Sequence, residues 1–155
     1  MTKILSIDPS GTGTSGICLI NKAQRSVEFR EFKNVNWKEH YFFISQLVKE
    51  YQPDIFLFEN TNYIHKRTKD GLSLFRLLGV LECLEYNFSF IEQTIKVNVP
   101  MVKALNQQLL KGTKKIVGWE YQVGRGKGWM YQGQRVSIHC CEAYLVAYLG
   151  STVLL

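Results

Sequence analysis

The sequence predicts an α/β protein in which a mixed five-stranded sheet is flanked by helices. Two observations point to this class: strand-like apolar runs open the chain, and runs with helical spacing alternate with further strands after residue 36. The length of 155 residues suits a single domain, 1–155, that buries its own core. Hydrophobic residues make up 46% and charged residues 21%, which is typical of a globular protein and not of a disordered one.

The predicted strands begin with a meander over Lys3–Ile7, Ser15–Ile20 and Ser26–Phe32. The third strand alternates apolar and charged residues, as a strand with one buried face does. Ile55–Phe58 is entirely apolar, so we expect a central strand that is covered on both faces. The apolar run Phe88–Ile91 predicts the fifth strand.

Four segments carry apolar residues at the spacing of three and four that an amphipathic helix needs. They are Asn36–Tyr51, Leu72–Leu84, Val99–Leu110 and Ile138–Leu149. Asn36 is the expected N-cap of the first helix, and Glu39 is the expected partner in a capping box. Pro100 suits the first turn of the third helix.

The stretch 112–135 holds six glycines, and here we expect a marginal helix over Thr113–Val123 and a flexible loop over Gly124–Gln134. The wider segment 96–135 has eight basic residues and one acidic residue, a net charge of +7, whereas the rest of the chain carries −1. Such asymmetry predicts a polyanionic partner, above all a nucleic acid. The alternative is a solvated basic surface without a partner.

The sequence indicates a cytoplasmic protein with no membrane partner. The longest apolar stretch, Ala143–Leu155, is too short for a transmembrane helix, and Asp8 interrupts the apolar run that a signal peptide would need. The four cysteines match neither a disulfide framework nor a zinc motif. We therefore expect reduced thiols.

Two carboxylates directly follow apolar strands, Asp8 after Lys3–Ile7 and Glu59 after Ile55–Phe58. Open α/β sheets bind their ligands at the carboxyl ends of strands. If the two strands are neighbours, the carboxylates repel each other, and a divalent cation that prefers oxygen ligands, Mg²⁺ or Mn²⁺, would relieve the repulsion. The alternative is that both side chains cap the adjacent loops.

His139 and Glu142 lie three residues apart at the start of the last predicted helix, so they share one face of it. The pair can complete a metal site, or it is an ordinary solvated pair. A zinc site at His139, Cys140 and Cys141 is disfavoured, because consecutive helical residues point about 100° apart.

A set of motifs that runs through nearly the whole chain carries a resemblance to a known family. They are the strand pair Ile4–Ile20 around Asp8, the strand that ends in Glu59, the Leu-rich helix with Gly79, the segment Val99–Lys103 with Lys111-Gly112-Thr113 after it, and His139-x-x-Glu142-Ala143-Tyr144. On these motifs the sequence resembles the RuvC family of Holliday junction resolvases. The resemblance implies a ribonuclease-H-like fold and one nuclease domain over residues 1–155.

The resemblance also implies a chemistry. Asp8, Glu59, His139 and Glu142 fall on the four metal-binding catalytic positions of the family, which hold two Mg²⁺ ions, with Mn²⁺ as a substitute. The implied activity is that of a homodimeric endonuclease that binds branched DNA and nicks opposed strands of a four-way junction by hydrolysis. His139 binds metal only in its neutral form, so we expect activity to fall at acid pH.

Basic residues are expected to hold DNA phosphates and not to read bases. The expected contacts are Lys66, Arg67, Lys69, Lys103, Lys111, Lys114 and Lys115, and Tyr63 is the nearest counterpart of the aromatic residue that wedges the junction in the family. Each cation has a solvated surface charge as its alternative. The helix Leu72–Leu84 is expected at the dimer interface, and the alternative is a helix wholly buried within the monomer.

The sequence departs from the family at three places. Glu142 replaces the usual final Asp, Tyr63 is one residue out of register, and 112–135 is glycine-rich where the family has a helix. These departures indicate a phage or mobile-element protein. They also leave two other functions open: a branched-DNA binding protein with a weak or inactive site, and a broader nuclease that cuts forks and flaps.

Overall fold

A computed structural model describes residues 2–61 and 69–151 of the chain. Its main sheet consists of β1 (Lys3–Asp8), β2 (Thr14–Asn21), β3 (Ser26–Lys33), β4 (Ile55–Asn60) and β5 (Gln93–Asn98). The helices are α1 (Trp37–Tyr51), α2 (Lys69–Glu82), α3 (Leu84–Asn87), α4 (Val99–Lys111) and α5 (Ile138–Gly150). Within the described ranges, no helix is both long enough and apolar enough to cross a bilayer.

The strand β1 lies at the centre of the sheet, whose order is β3-β2-β1-β4-β5. Antiparallel pairing joins β1 to β2 and β2 to β3, whereas β1–β4 and β4–β5 pair in parallel. The predicted mixed five-stranded sheet is therefore confirmed. The apolar β4 is an inner strand, as its composition predicts, and the more polar β5 lies at the edge.

Successive side chains of β1 point to opposite faces of the sheet, which explains how both faces become covered. Leu5 and Ile7 point to the face that packs against α1 and α2, whereas Ile4 and Ser6 point to the face that α5 covers. All four residues are fully buried. The helix α5 is apolar nearly all round, because the sheet and α4 enclose it.

The expectation of a helix over Thr113–Val123 and a loop over Gly124–Gln134 is wrong. The region contains a second, antiparallel sheet of β6 (Trp119–Tyr121), β7 (Trp129–Tyr131) and β8 (Gln134–Arg135). The ring of Trp119 lies 5.8 Å from that of Phe29 and 5.2 Å from that of Tyr144. Burial of large rings against partners that are distant in sequence outweighs the weak local helix preference.

The expectation of a strand over Phe88–Ile91 is also wrong. These residues form a turn after α3, in which the rings of Phe88 and Phe90 lie 5.4 Å apart and pack against the side of the core that contains α1 and α2. The fifth strand is β5, which follows this turn. The apolar run thus reflects burial and not strand pairing.

The helix α1 begins where it was predicted, because Asn36 Oδ1 accepts the N–H of Lys38 at 3.0 Å. The predicted capping box, in which the Glu39 side chain would accept the N–H of Asn36, is wrong. The N–H of Asn36 donates instead to Asn34 Oδ1 at 2.8 Å. Asn34 is therefore the acceptor for the N–H of Asn36 that was predicted to be Glu39.

The helix α2 is amphipathic and is not wholly buried within the monomer. Leu77, Leu78 and Leu81 are buried against the core. Leu72, in contrast, is 43% exposed. The alternative of a fully enclosed helix is therefore wrong, and part of its apolar surface stays open to solvent.

Candidate metal centre

Two acidic side chains are aligned at one end of the sheet by the pairing of β1 with β4. The strands run parallel in a register that pairs Ile7 with Phe58. The next residues along each strand, Asp8 and Glu59, therefore lie side by side at the two carboxyl ends. The apolar runs that precede them are buried, so both carboxylates stand on a fixed backbone.

Both carboxylates point to the face of the sheet that α5 covers. Alternation puts Asp8 on the side of Ser6, and Glu59 on the side of Leu57, which packs in the same core cluster as α5. The Ser6 hydroxyl donates to the Ala143 carbonyl of α5 at 2.6 Å, and this hydrogen bond is buried. It fixes the helix against β1 next to Asp8.

The helix α5 supplies the other two predicted residues. Ser137 caps its start by accepting a backbone N–H at 3.2 Å. The Glu142 carboxylate joins those of Asp8 and Glu59, and one oxygen from each of the three lies within 4.8 Å of the others. His139 lies at the side of this cluster, with Nδ1 3.7 Å from Asp8 Oδ2 and its side chain 42% exposed.

Burial and mutual repulsion change the proton affinity of this cluster. Burial, the charges of Glu59 and Glu142 and a hydrogen bond with Glu142 together raise the pKa of Asp8 to about 9. Burial and the charge of Glu142 raise the pKa of Glu59 to about 7, although Lys103 opposes this shift. Near neutral pH, Asp8 therefore keeps a proton that a bound cation would displace.

The donor set fits a divalent cation that prefers oxygen ligands. Asp8, Glu59 and Glu142 offer carboxylate oxygens from three different elements, which is the ligand type that Mg²⁺ and Mn²⁺ take. His139 is not a member of this three-residue group, although its ring lies beside Asp8. Glu142 reaches the cluster in spite of its longer side chain. The cluster is thus a candidate divalent-metal site.

The loop that follows Asp8 is held by a buried histidine that no sequence pattern indicated. His40 of α1 is fully buried, with Nε2 2.7 Å from the Asn34 carbonyl and Nδ1 2.8 Å from the Ser15 hydroxyl. Ser15 Oγ in turn accepts the N–H of Ser10 at 2.9 Å. This network fixes the backbone two residues after Asp8. A lone histidine in a helical pattern gives no sign of partners so distant in sequence.

Gly16 allows α5 to approach the sheet closely at the candidate site. It lies on β2 directly opposite Asp8. A Cβ at this position would overlap the carbonyl group of His139 and would lie 2.8 Å from the backbone nitrogen of Cys140. The missing side chain therefore sets the height of His139 and Glu142 above the strand.

We expect Gly16→Ala to destabilise the protein by roughly 1–3 kcal/mol, because the added methyl group forces α5 away from β2. The same movement separates Glu142 from Asp8, so any rise in melting temperature that Mg²⁺ causes should shrink. Gly79→Ala on α2 is the matched control, because a Cβ there meets nothing within 4 Å and alanine favours the helix by about 1 kcal/mol. Equal melting temperatures for the two variants would contradict this account.

Four of the predicted DNA-contacting lysines are described, and all four are exposed: Lys103, Lys111, Lys114 and Lys115. Lys103 is close enough to Glu59 to lower the pKa of that carboxyl, and Lys114 Nζ lies 5.2 Å from the centre of the Tyr148 ring. Within residues 2–61 and 69–151, none of the four forms an ion pair. The remaining candidates, Tyr63, Lys66 and Arg67, lie outside the described residues, as does the side chain of Lys69.

No protein-family model matches the chain, and no curated protein matches it by sequence. Solved structures do match. RuvC of Thermus thermophilus, solved in complex with a Holliday junction substrate, has a TM-score of 0.60 at 12% identity, over 95% of this chain and 90% of that one. The yeast mitochondrial Holliday junction resolvase Ydc2 has a TM-score of 0.53 at 13% identity, over 94% and 76%. At such identities the likeness establishes the fold, which is ribonuclease-H-like, as the sequence resemblance implied.

Proposed function

We propose that the chain is a metal-dependent endonuclease that binds branched DNA and nicks four-way junctions. The observation that carries the proposal is the convergence of Asp8, Glu59 and Glu142 at the carboxyl ends of two parallel strands, with oxygens within 4.8 Å of one another. The fold is shared with a RuvC solved on a Holliday junction substrate and with the resolvase Ydc2. That likeness supports junction DNA as the substrate class.

In this proposal Asp8, Glu59 and Glu142 hold two Mg²⁺ ions, or Mn²⁺ in their place, and His139 is a further ligand in its neutral form. These residues would hold ions whose chemistry, when bound, would be to polarise the scissile phosphate and to lower the pKa of the attacking water. Asp8 releases its proton when the metal binds, which couples metal affinity to pH. Lys103, beside Glu59, attracts a DNA phosphate to the same edge of the sheet.

Further phosphate contacts come from the lysines along α4 and directly after it. Lys103 and Lys111 lie eight residues apart on α4, so they share its exposed face. Lys114 and Lys115 follow the helix directly. Lysines that bind phosphates displace the counterions condensed on the DNA. We therefore expect junction binding to weaken steeply as the salt concentration rises.

The proposal is tested with a labelled four-way junction incubated with the protein in Mg²⁺ and, separately, in Mn²⁺. A linear duplex of the same sequence, a fork and a flap serve as comparison substrates. We expect paired nicks in opposed strands near the branch point that require the metal. Binding without nicking in both metals would favour a structure-binding protein, and equal rates on forks and flaps would favour a broad structure-selective nuclease. Failure to bind any branched DNA would refute the proposal.

We further propose that the protein acts as a homodimer through α2, since two opposed cuts need two sites. Leu72 supports this interface because it is a large apolar residue that is 43% exposed on that helix. We expect a solution mass twice the 17.9 kDa of the chain in sedimentation experiments, and a monomer for Leu72→Glu. Val117→Glu is the control, because Val117 is an exposed apolar residue outside α2. A monomeric wild-type protein on junction DNA would contradict the dimer.

A further inference from the structure

The turn between β6 and β7 carries two cations on a glycine-rich tip. Arg125 and Lys127 are both exposed there. The N–H of Lys127 donates to the Gly124 carbonyl at 3.1 Å and so closes the turn. Gly124 and Gly126 have φ of 129° and 73°, values that other residues rarely adopt. The tip is therefore a defined turn in which Gly126, which has no side chain, separates the two cationic residues.

A third cation is tied to the same turn from β8. Arg135 Nη1 donates to the Gly126 carbonyl at 2.9 Å. In the part of the chain that the structure describes, none of Arg125, Lys127 and Arg135 forms an ion pair with a carboxylate. Three cations without a carboxylate partner on one turn and the strand tied to it make this surface positive, so the arrangement favours an anionic partner.

The hairpin formed by β6 and β7 (residues 119–131) is anchored by aromatic rings at its base. Trp129 is 5% exposed, and its ring lies 6.1 Å from that of Trp119 and 5.0 Å from that of Tyr121. The ring of Tyr131 lies 5.6 Å from that of Phe29 on the main sheet. Because the base is packed in this way, the hairpin loses little conformational entropy when it binds a partner.

The hairpin also stands beside the element that completes the acidic cluster. A groove next to its base is lined by Asn106 and Leu110 of α4, by Trp129 and Arg135, and by Ser137, the N-cap of α5. His139 and Glu142 follow Ser137 within two turns of that helix. A partner bound along this groove would therefore lie next to the start of α5, the helix that carries His139 and Glu142.

We propose that the β6–β7 hairpin is a rigid arm that grips the phosphate backbone of a duplex arm of the DNA beside the metal centre. This rests on the proposed function, because DNA is taken as the partner. A duplex presents a negative charge about every 1.7 Å along its axis, so it offers several phosphates to the cations of the tip and of Arg135. The contacts are to the backbone and carry no base sequence.

The test compares two double variants that each lower the net charge by two. Arg125→Gln with Lys127→Gln removes the cations of the hairpin tip. Lys22→Gln with Arg25→Gln is the matched control in the β2–β3 turn, at the end of the sheet away from Asp8, because Asn21 pairs with Lys3 whereas Gly16 pairs with Asp8. These two cations border the base of the hairpin at Tyr131 and not its tip, so the comparison isolates the cations of the tip. Affinity for a labelled four-way junction is measured over a range of salt concentrations without divalent metal, so that the DNA stays intact.

We expect the hairpin variant to lose about tenfold in affinity and to reduce the salt slope of log K by roughly 1.8, since two phosphate contacts are lost. The control variant should stay within about twofold of the wild type. The charge-preserving variant Arg125→Lys with Lys127→Arg should bind like the wild type, which separates loss of charge from a disturbed turn.

Two results would overturn the proposal while the proposed function stands. One is a hairpin variant that binds the junction as tightly as the control variant does. That result would favour an acidic protein, and not DNA, as the partner of the hairpin cations. The other is an equal loss in the charge-preserving variant. A wild-type protein that binds no branched DNA would instead overturn the proposed function itself, and the hairpin proposal with it.

Discussion

Asp8→Asn is expected to abolish metal-dependent cleavage of a four-way junction while junction binding survives. The amide keeps the shape of the side chain but lacks the charge that a divalent cation needs, and Asp8 interacts with both Glu59 and Glu142. A loss of about 4 kcal/mol of transition-state stabilisation corresponds to a decrease of about 1000-fold in rate. Single-turnover cleavage and equilibrium binding, measured on the same junction, give the two quantities.

Asp54→Asn is the matched control for this substitution. Asp54 Oδ2 accepts the N–H of Lys3 at 2.8 Å, so this carboxylate lies at the opposite end of β1 from Asp8. We expect its cleavage rate to stay within about twofold of the wild type, because it is remote from the cluster. A tenfold decrease in rate corresponds to a loss of about 1.4 kcal/mol of transition-state stabilisation. If Asp8→Asn keeps more than one tenth of the wild-type rate, the site is wrongly assigned.

The stability of the metal-free protein is expected to fall as pH rises from about 5 to 9. The pKa of Asp8 is raised to about 9 and that of Glu59 to about 7, whereas both groups lose their protons near pH 4 in the unfolded chain. The unfolded state therefore binds fewer protons across this range, so the free energy of unfolding decreases with pH. The decrease in the free energy of unfolding that Glu59 causes is complete above about pH 7, and the decrease that Asp8 causes continues to about pH 9.

Melting temperatures with and without Mg²⁺ test this dependence. Each kcal/mol lost lowers the melting temperature by roughly 2–4 °C in a chain of this size. Mg²⁺ should raise it more at pH 8.5 than at pH 5.5, because the cation replaces protons. Asp8→Asn combined with Glu59→Gln should flatten the pH profile and remove the response to Mg²⁺, whereas Asp54→Asn keeps both. A wild-type melting temperature that rises with pH in the absence of metal would refute the expectation.

The placement of the acidic residues could be predicted because each belongs to a strong local pattern. Asp8 and Glu59 end buried apolar strands, and a sheet with parallel strands brings such ends to one edge. His139 and Glu142 open a helix, and their spacing alone puts them on one face. The catalytic role of these four residues is a prediction, which Asp8→Asn tests for the first of them.

Other features depend on contacts that are remote in sequence and leave no local signal. The strands of the second sheet are only two or three residues long, and packing of rings such as Trp119 on Phe29 holds them. The network of His40 with Ser15 joins α1 to the loop after Asp8. Gly16 resembles any glycine in a strand until α5 is seen to lie against it.

The three carboxylates come from β1, β4 and α5, so the cluster exists only after the most distant parts of the described chain have met. In a partly folded chain that holds the meander and α1 alone, Asp8 is an isolated carboxylate. Docking of α5 is the event that brings Glu142 against it, and local opening of α5 is the event that separates them again. A bound cation would therefore oppose this opening, and slower hydrogen exchange at the buried amides of α5 would report its binding without any DNA.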